Sequence, residues 1–185
     1  MRIIAGDFRG RRLTPVGKGD AGAHLRPTTD RVRESLFNML AGGRFGEPFE
    51  DAQVLDLFAG TGALGLEALS RGAAHVTLVE NGRVGAKLIR ANIALLGCGD
   101  RARMLGADAT RLPAAGTPCS LVFLDPPYGK DLGARALDAA HKGGWIAPGA
   151  LIVWEENAPQ PAPEGFVPLD TKRYGDTTVT LLEAR

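Results

Sequence analysis

The chain has 185 residues, 44% of them apolar, with 22 basic and 21 acidic side chains and a net charge of +1. That length suits one domain whose core stands without disulfides, and Cys98 and Cys119, two thiols without metal-ligand spacing, fit a reduced interior better than a disulfide scaffold or a metal site. The opening Met1-Arg2-Ile3-Ile4-Ala5 is too short in apolar length for a signal peptide, and no run reaches the ~20 apolar residues of a membrane span, so a cytoplasmic protein is expected.

In chain order, Ile3 to Ala5 and Phe8 to Leu13 predict a short hairpin, with Gly6-Asp7 as its turn. Residues 14–25 carry three glycines and a proline without periodicity and predict a loop. Thr28 or Thr29 can cap a helix after Pro27, with Val32, Leu36, Phe37 and Leu40 on one face and Gly42-Gly43 beyond its end. Charge is uneven over this stretch. Residues 1–34 hold eight Arg or Lys and four acids, a surplus of +4 against −3 for the rest, which suggests an arm facing a polyanion. The expected organisation is therefore a basic extension over 1–43 and a main domain over 44–185.

The remainder alternates. Strands are predicted over Val54–Phe58, Val76–Val79, Ala102–Leu105, Leu121–Leu124 and Leu151–Trp154, and helices from Leu64, over Val84–Leu96 and over Leu132–Lys142. Such alternation of short apolar strands with helices argues for an α/β fold, a parallel sheet covered on both faces. Phe166–Leu169 and Val179–Leu182 leave no room for a helix between them and predict a terminal antiparallel hairpin.

Gly60-Thr61-Gly62-Ala63-Leu64-Gly65 fits G-x-G-x-x-G between a predicted strand and a predicted helix. Its glycines let the backbone turn tightly and let a ligand approach the helix N-terminus. Glu80, 20 residues past Gly60, stands where a carboxylate can accept both hydroxyls of a ribose. A pyrophosphate would be repelled by Asp56 just before the loop, whereas a ligand carrying a sulfonium would be attracted, and S-adenosylmethionine meets that description. Asp108-Ala109 follows the third strand and could accept an adenine amino group, although Asp108 could equally be a helix cap or a loop carboxylate.

Asp125-Pro126-Pro127-Tyr128 follows the fourth strand. Two prolines in a row cannot continue a strand or a helix, so the chain leaves the sheet in a rigid extended turn. A carboxylate, free carbonyls and an aromatic face are thereby gathered at a strand end, a set suited to holding an exocyclic amine and stacking on its ring. Four acids (Asp56, Glu80, Asp108 and Asp125) then mark four successive strand ends, along the edge where open α/β sheets bind ligands.

Asp56-Leu57-Phe58-Ala59-Gly60-Thr61-Gly62 and Asp125-Pro126-Pro127-Tyr128 resemble the cofactor and amino-methylation motifs of class I methyltransferases. Arg2-Ile3-Ile4-Ala5-Gly6, Arg9-Gly10-Arg11-Arg12-Leu13 and the stretch Arg26-Pro27-Thr28-Thr29-Asp30-Arg31-Val32-Arg33-Glu34-Ser35-Leu36-Phe37-Asn38 resemble the opening of the RsmD family of bacterial small-subunit ribosomal RNA methyltransferases. The resemblance covers nearly the whole chain. It implies a Rossmann-like class I fold with seven mainly parallel strands and a reversed last strand. It also implies transfer of methyl from S-adenosylmethionine, leaving S-adenosylhomocysteine, to the 2-amino group of one guanine in 16S ribosomal RNA. The small subunit or an assembly intermediate would be the partner, and the enzyme a monomer that uses no metal and binds no membrane.

On this reading Asp56, Phe58, Ala59, Gly60, Thr61, Gly62, Glu80, Asn81, Asp108 and Ala109 hold the cofactor. Asp125, Pro126, Pro127 and Tyr128 are catalytic, and Arg9, Arg11, Arg12, Arg26 and Arg31 contact phosphates. The nearest rival is an adenine-N6 methyltransferase acting on RNA or DNA, since adenine also presents an exocyclic amine. A nicotinamide-dependent oxidoreductase has no use for the Asp125 tetrapeptide, and a non-catalytic assembly factor would not need intact Gly60, Gly62, Glu80 and Asp125. Tyr174-Gly175-Asp176 either borders the substrate cleft or is a plain hairpin turn, and Trp145 and Trp154 are expected in the core or at a sheet edge.

Overall fold

The computed structural model describes residues 1–17 and 29–185. Arg26, the capping alternative Thr28 and most of the predicted glycine-rich loop lie outside the described residues. The described elements are α1 (Asp30–Leu40), β1 (Gln53–Leu57), α2 (Ala63–Ser70), β2 (His75–Val79), α3 (Arg83–Leu96), β3 (Ala102–Leu105), β4 (Cys119–Leu124), α4 (Leu132–Lys142), β5 (Ile146–Glu156), β6 (Phe166–Tyr174) and β7 (Thr177–Ala184). The strands form one sheet in the order β3-β2-β1-β4-β5-β7-β6. All pairings from β3 across to β5 are parallel, and β7 runs antiparallel to both of its neighbours. This is the Rossmann-like class I methyltransferase architecture with its C-terminal antiparallel hairpin, as the terminal strand pair predicts.

Alternation along the strands divides the core in two. Val54, Leu78, Phe123, Val153 and Leu181 face α1, α2 and α3, whereas Leu57, Val122, Leu124, Ile152 and Trp154 face α4. The chain leaves β1 toward β2 on one side and returns to place β4 on the other, so the carboxyl ends of β1 and β4 flank the point where the strand order reverses.

The N-terminal segment departs from its prediction. The two arms of the expected hairpin do meet, with the Ile3, Gly10 and Leu13 N–H groups on the Arg11, Ile3 and Met1 carbonyls, but regular pairing is limited to one antiparallel bridge, Arg2 with Arg12. The reason lies in where the backbone donors go. Ile4 and Ala5 give their N–H groups to the Glu67 carboxylate (2.8 and 3.1 Å), and Asp7 and Phe8 give theirs to the carbonyl and hydroxyl of Ser70. With four of its donors turned to α2, the segment pairs with itself only briefly. Gly6, at φ +79°, passes so close to α2 that a Cβ would stand 1.7 Å from the Ser70 carbonyl oxygen. Gly6→Ala should therefore unseat this turn and cost roughly 2 kcal/mol or more; an unchanged urea midpoint would show that the turn is not held as described.

Thr29 caps α1, its hydroxyl accepting the Val32 N–H at 3.3 Å. The predicted apolar face is displaced by one position, because Val32 is only half-buried and Arg33 is fully enclosed beside Leu36, Phe37 and Leu40. Arg33 donates to the Arg2 carbonyl and to Asp30, and it lies in the field of Glu67. Glu67 itself is 0% exposed and also takes the Arg71 Nε at 2.9 Å. Burial lowers the Arg33 pKa, while Glu67 and Asp30 act to raise it. No helix among the described residues is long and apolar enough to cross a membrane.

Candidate active site

The glycine loop begins where β1 ends. Phe58 takes φ +59°, an uncommon conformation for an aromatic residue, and Gly60 and Gly62 take +58° and +80°. Gly62 donates its N–H to the Ala59 carbonyl at 2.7 Å and precedes the first residue of α2. Gly65 lets α2 lie down on the sheet: a Cβ there would stand 2.7 Å from both Leu78 Cδ2 and Val76 Cγ2.

Glu80 leaves the end of β2 and reaches back to the loop. Its Oε2 accepts the Gly60 N–H at 2.9 Å and its Oε1 the Gly82 N–H at 2.6 Å. Asn81 beside it is exposed. Asp56 is 1% exposed, and its Oδ2 takes the Gly65 N–H at 2.9 Å. It stands behind the loop and fixes the junction of loop and helix. Asp108 is exposed and binds its own neighbourhood, with Oδ1 accepting from both the N–H and the hydroxyl of Thr110 at 2.8 Å. Those bonds hold its carboxyl below the usual carboxylate range. Ala109 is buried against the α4 side of the sheet.

Asp125 extends the β1–β4 ladder by one bond, its N–H reaching the Leu57 carbonyl at 3.4 Å, before Pro126 ends the strand. Pro126 is buried and Pro127 exposed. The Tyr128 hydroxyl lies 3.3 Å from Thr177 Oγ1, so the tetrapeptide meets the start of β7 directly after the Tyr174-Gly175-Asp176 turn. Trp145 and Trp154 are core residues on the α4 side.

Register and alternation bring three acids together. Leu57 pairs with Leu124 and Leu124 with Trp154, so Asp125 stands level with Glu155, and Asp56, paired with Phe123, two residues below. All three have the parity of the strand face that carries α1 and α2. The Asp125 carboxyl is held well above the ordinary carboxylate range, by burial first and then by Glu155, Asp56 and Glu156. Burial likewise raises Asp56 from 3.8 to about 7, opposed by the Gly65 hydrogen bond and assisted by Glu155 and Glu80.

Among the described residues no Arg or Lys forms an ion pair with Asp56, Glu80 or Asp125. Burial and mutual repulsion oppose the ionisation of these carboxyls, and a ligand that brings a positive charge would relieve both. The residues present therefore suit S-adenosylmethionine.

The Asp56 shift has a testable sign. Between 3.8 and about 7 the folded chain keeps a proton that the unfolded chain has released, so this group's contribution to stability is lost as pH rises through that interval. The interval corresponds to about 4 kcal/mol at most. Asp56→Asn keeps an acceptor for Gly65 and cannot ionise. Its unfolding free energy should fall less steeply than that of the natural chain between pH 4 and 7, and parallel curves would contradict the burial argument.

Two features of the site carry no sequence motif. Asn92 of α3, fully buried, donates its Nδ2 to the Thr61 carbonyl at 2.9 Å and accepts the Thr14 N–H on Oδ1 at 2.7 Å, tying the loop to the N-terminal segment. Glu155 is buried beside Asp125; the predicted strand stopped at Trp154, one residue short of it. Among the described residues, the proposed phosphate contacts form no ion pair with the acids of the site. Arg9 and Arg11 lie near the C-terminal ends of α2 and α3, with Arg11 Nη2 on the Leu95 carbonyl at 2.5 Å. Arg12 forms the bridge with Arg2, and Arg31 is exposed on α1.

A family model described as Conserved hypothetical protein 95 matches residues 1–183. Ribosomal RNA small subunit methyltransferase D of Escherichia coli K12 is 47% identical over 156 residues, covering 84% of this chain and 74% of its own. The solved structure of yhhF from Escherichia coli superposes with a TM-score of 0.81 at 39% identity, over 100% of this chain and 97% of that one. The Thermus thermophilus 16S rRNA N2 G1207 methyltransferase, solved with AdoMet and guanosine, shares the fold, with a TM-score of 0.63 at 20% identity over 89% of this chain and 45% of its own. The chain belongs to the RsmD family, that of ribosomal RNA small subunit methyltransferase D.

Proposed function

We propose that this protein methylates 16S ribosomal RNA of the small subunit, transferring the methyl group of S-adenosylmethionine to the exocyclic 2-amino group of one guanine. The observation that carries this reading is the placement of Asp125-Pro126-Pro127-Tyr128 at the carboxyl end of β4, beside the Gly60 loop at the end of β1. Family membership supports the RNA substrate. The fold, the loop and the buried acids support the cofactor.

Glu80 would hold the ribose hydroxyls, the glycine loop would seat the amino-acid end, and the region of Asp108 and Ala109 would border the adenine. When bound, S-adenosylmethionine supplies a methyl group activated by its sulfonium. The guanine amine is a weak nucleophile because its lone pair is delocalised into the ring. Asp125 and the Pro126 carbonyl would accept its two hydrogens and favour a tetrahedral nitrogen, freeing the lone pair. The base must be unpaired or flipped to reach this edge. Tyr128, braced at its hydroxyl by Thr177, would stack on it, worth about 1–3 kcal/mol. As the N–C bond forms the C–S bond breaks, and the nitrogen, now acidic, gives up a proton. Much of the acceleration comes from alignment.

The test is transfer of labelled methyl to small subunits lacking the modification, with nucleoside analysis of the product. Labelled 2-methylguanosine is expected. Labelled 6-methyladenosine would overturn the base, and absence of label on subunits and naked RNA, with cofactor still bound, would overturn the enzymatic reading.

A further inference from the structure

Arg9 is separated from the glycine loop by the length of a helix, and Arg11 is fixed beyond the loop at the C-terminal end of α3. Residues 7 and 8 are anchored at Ser70, the last residue of α2, whereas the glycine loop precedes its first residue, about 12 Å away along the axis. An RNA held at both places must cross the intervening surface, and α3 runs along that side of the sheet.

Arg83, Lys87 and Arg90 recur on α3 at i, i+4 and i+7, a single helical face. All three are exposed, and among the described residues none is in an ion pair. Residues 81–99 contain these three cations and no acid. Like charges at this spacing repel one another on a helix, so the stripe gains nothing for α3 itself. It starts next to Gly82, which is bonded to Glu80, at the carboxyl edge of the sheet. It ends near Leu95, whose carbonyl receives Arg11. At that end Arg101 lies over the Phe8 ring at 5.8 Å, which brings a further cation to the arm. An open groove between α3 and β3 has Arg90 on one wall and Arg103 on the other, with Ile93, Gly97 and Met104 between them. Leu95, 39% exposed, is the sole large apolar side chain exposed on this face among the described residues, which suits a polyanion better than a lipid surface.

We propose that the exposed face of α3 is a phosphate track, on which Arg83, Lys87 and Arg90 carry the RNA backbone from the catalytic edge to Arg11 and Arg101 at the opposite edge. This rests on the reading of the protein as an RNA methyltransferase. It accounts for Arg9 and Arg11, which stand away from the acids: they grip the same RNA at the far end of the track. Phosphate contacts of this kind position an RNA without reading its sequence.

The test is the triple variant Arg83→Gln, Lys87→Gln, Arg90→Gln, compared with the natural chain for binding to 16S ribosomal RNA across a range of salt. Each lost phosphate contact lowers the slope of log K against log salt by about 0.7–0.9, so a reduction of about 2–3 is expected, with weaker binding at low salt. The double variant Arg83→Lys, Arg90→Lys should keep the slope, because charge and not shape is read, which a merely structural role would not predict. An unchanged slope and affinity in the triple variant, with the natural chain binding and methylating RNA, overturns the track alone. A natural chain that neither binds nor methylates small-subunit RNA overturns the function reading and the track together.

Discussion

Replacing Asp125 with alanine is expected to lower methyl transfer by about 10²–10⁴-fold, the range seen when an essential acid–base or charge-stabilising group is removed, while S-adenosylmethionine affinity stays within about threefold. The division follows from position. Asp125 leaves β4 one residue past the ladder, level with Glu155, whereas the loop contacts are made by Glu80 and Asp56. Equilibrium binding of the cofactor, run beside single-turnover transfer, separates the two effects. A loss of affinity as large as that of Gly60→Val would refute this division of labour. The pH profile adds a sign. Burial and the surrounding acids raise the Asp125 pKa, so if the ionised carboxylate holds the amine, transfer should increase with pH through that raised value. Asp125→Asn, which cannot ionise, should show neither the activity nor the increase.

Glu67→Ala should destabilise the fold by about 3–5 kcal/mol, the cost of breaking a buried ion pair and leaving its partners charged. The carboxylate is fully enclosed and accepts Ile4 N, Ala5 N and Arg71 Nε, with Arg33 also buried nearby. Its loss strands two backbone donors and the Arg71 guanidinium, and leaves Asp30 as the acid that holds Arg33. Urea denaturation measures the change, and proteolysis of the N-terminal segment should accelerate in parallel. A cost under about 1 kcal/mol would mean that the segment is seated by Ile3 and Leu13 in the core, with the polar network contributing little.

Those two sites differ in how far the sequence revealed them. Asp125 was legible because prolines following a buried apolar run dictate both a strand end and a turn, whatever surrounds them. The boundaries of β3 and α4 were legible for similarly local reasons. Glu67 and Arg33 were not, since a charge on a helix reads as solvent-facing until a partner from a distant segment encloses it. The same holds for β5. Glu155 and Glu156 look like a surface end to the strand, yet they lie buried between β4 and β7. The N-terminal hairpin was shortened by competition: α2 took the donors of residues 4, 5, 7 and 8, while Ile3, Gly10 and Leu13 still paired within the segment. Asn92 had no signal at all, because an amide in a helix becomes informative only when the loop and the segment it joins are both in place.

The position of β7 has a consequence for how the molecule is made. This strand is translated after every other strand of the sheet, yet it lies inside the sheet, between β5 and β6. Until it emerges from the ribosome, β5 presents a bare edge and β6 has no neighbour at all. Pairing over long separations along the chain is slow and leaves unpaired edges open to wrong partners. Completion of the sheet must therefore await release of the last strand. That strand also carries Thr177, which braces Tyr128, so the Tyr128 side of the candidate site is finished last. Nascent chains halted before β7 should accordingly be more exposed to aggregation and chaperone capture than their length alone would suggest.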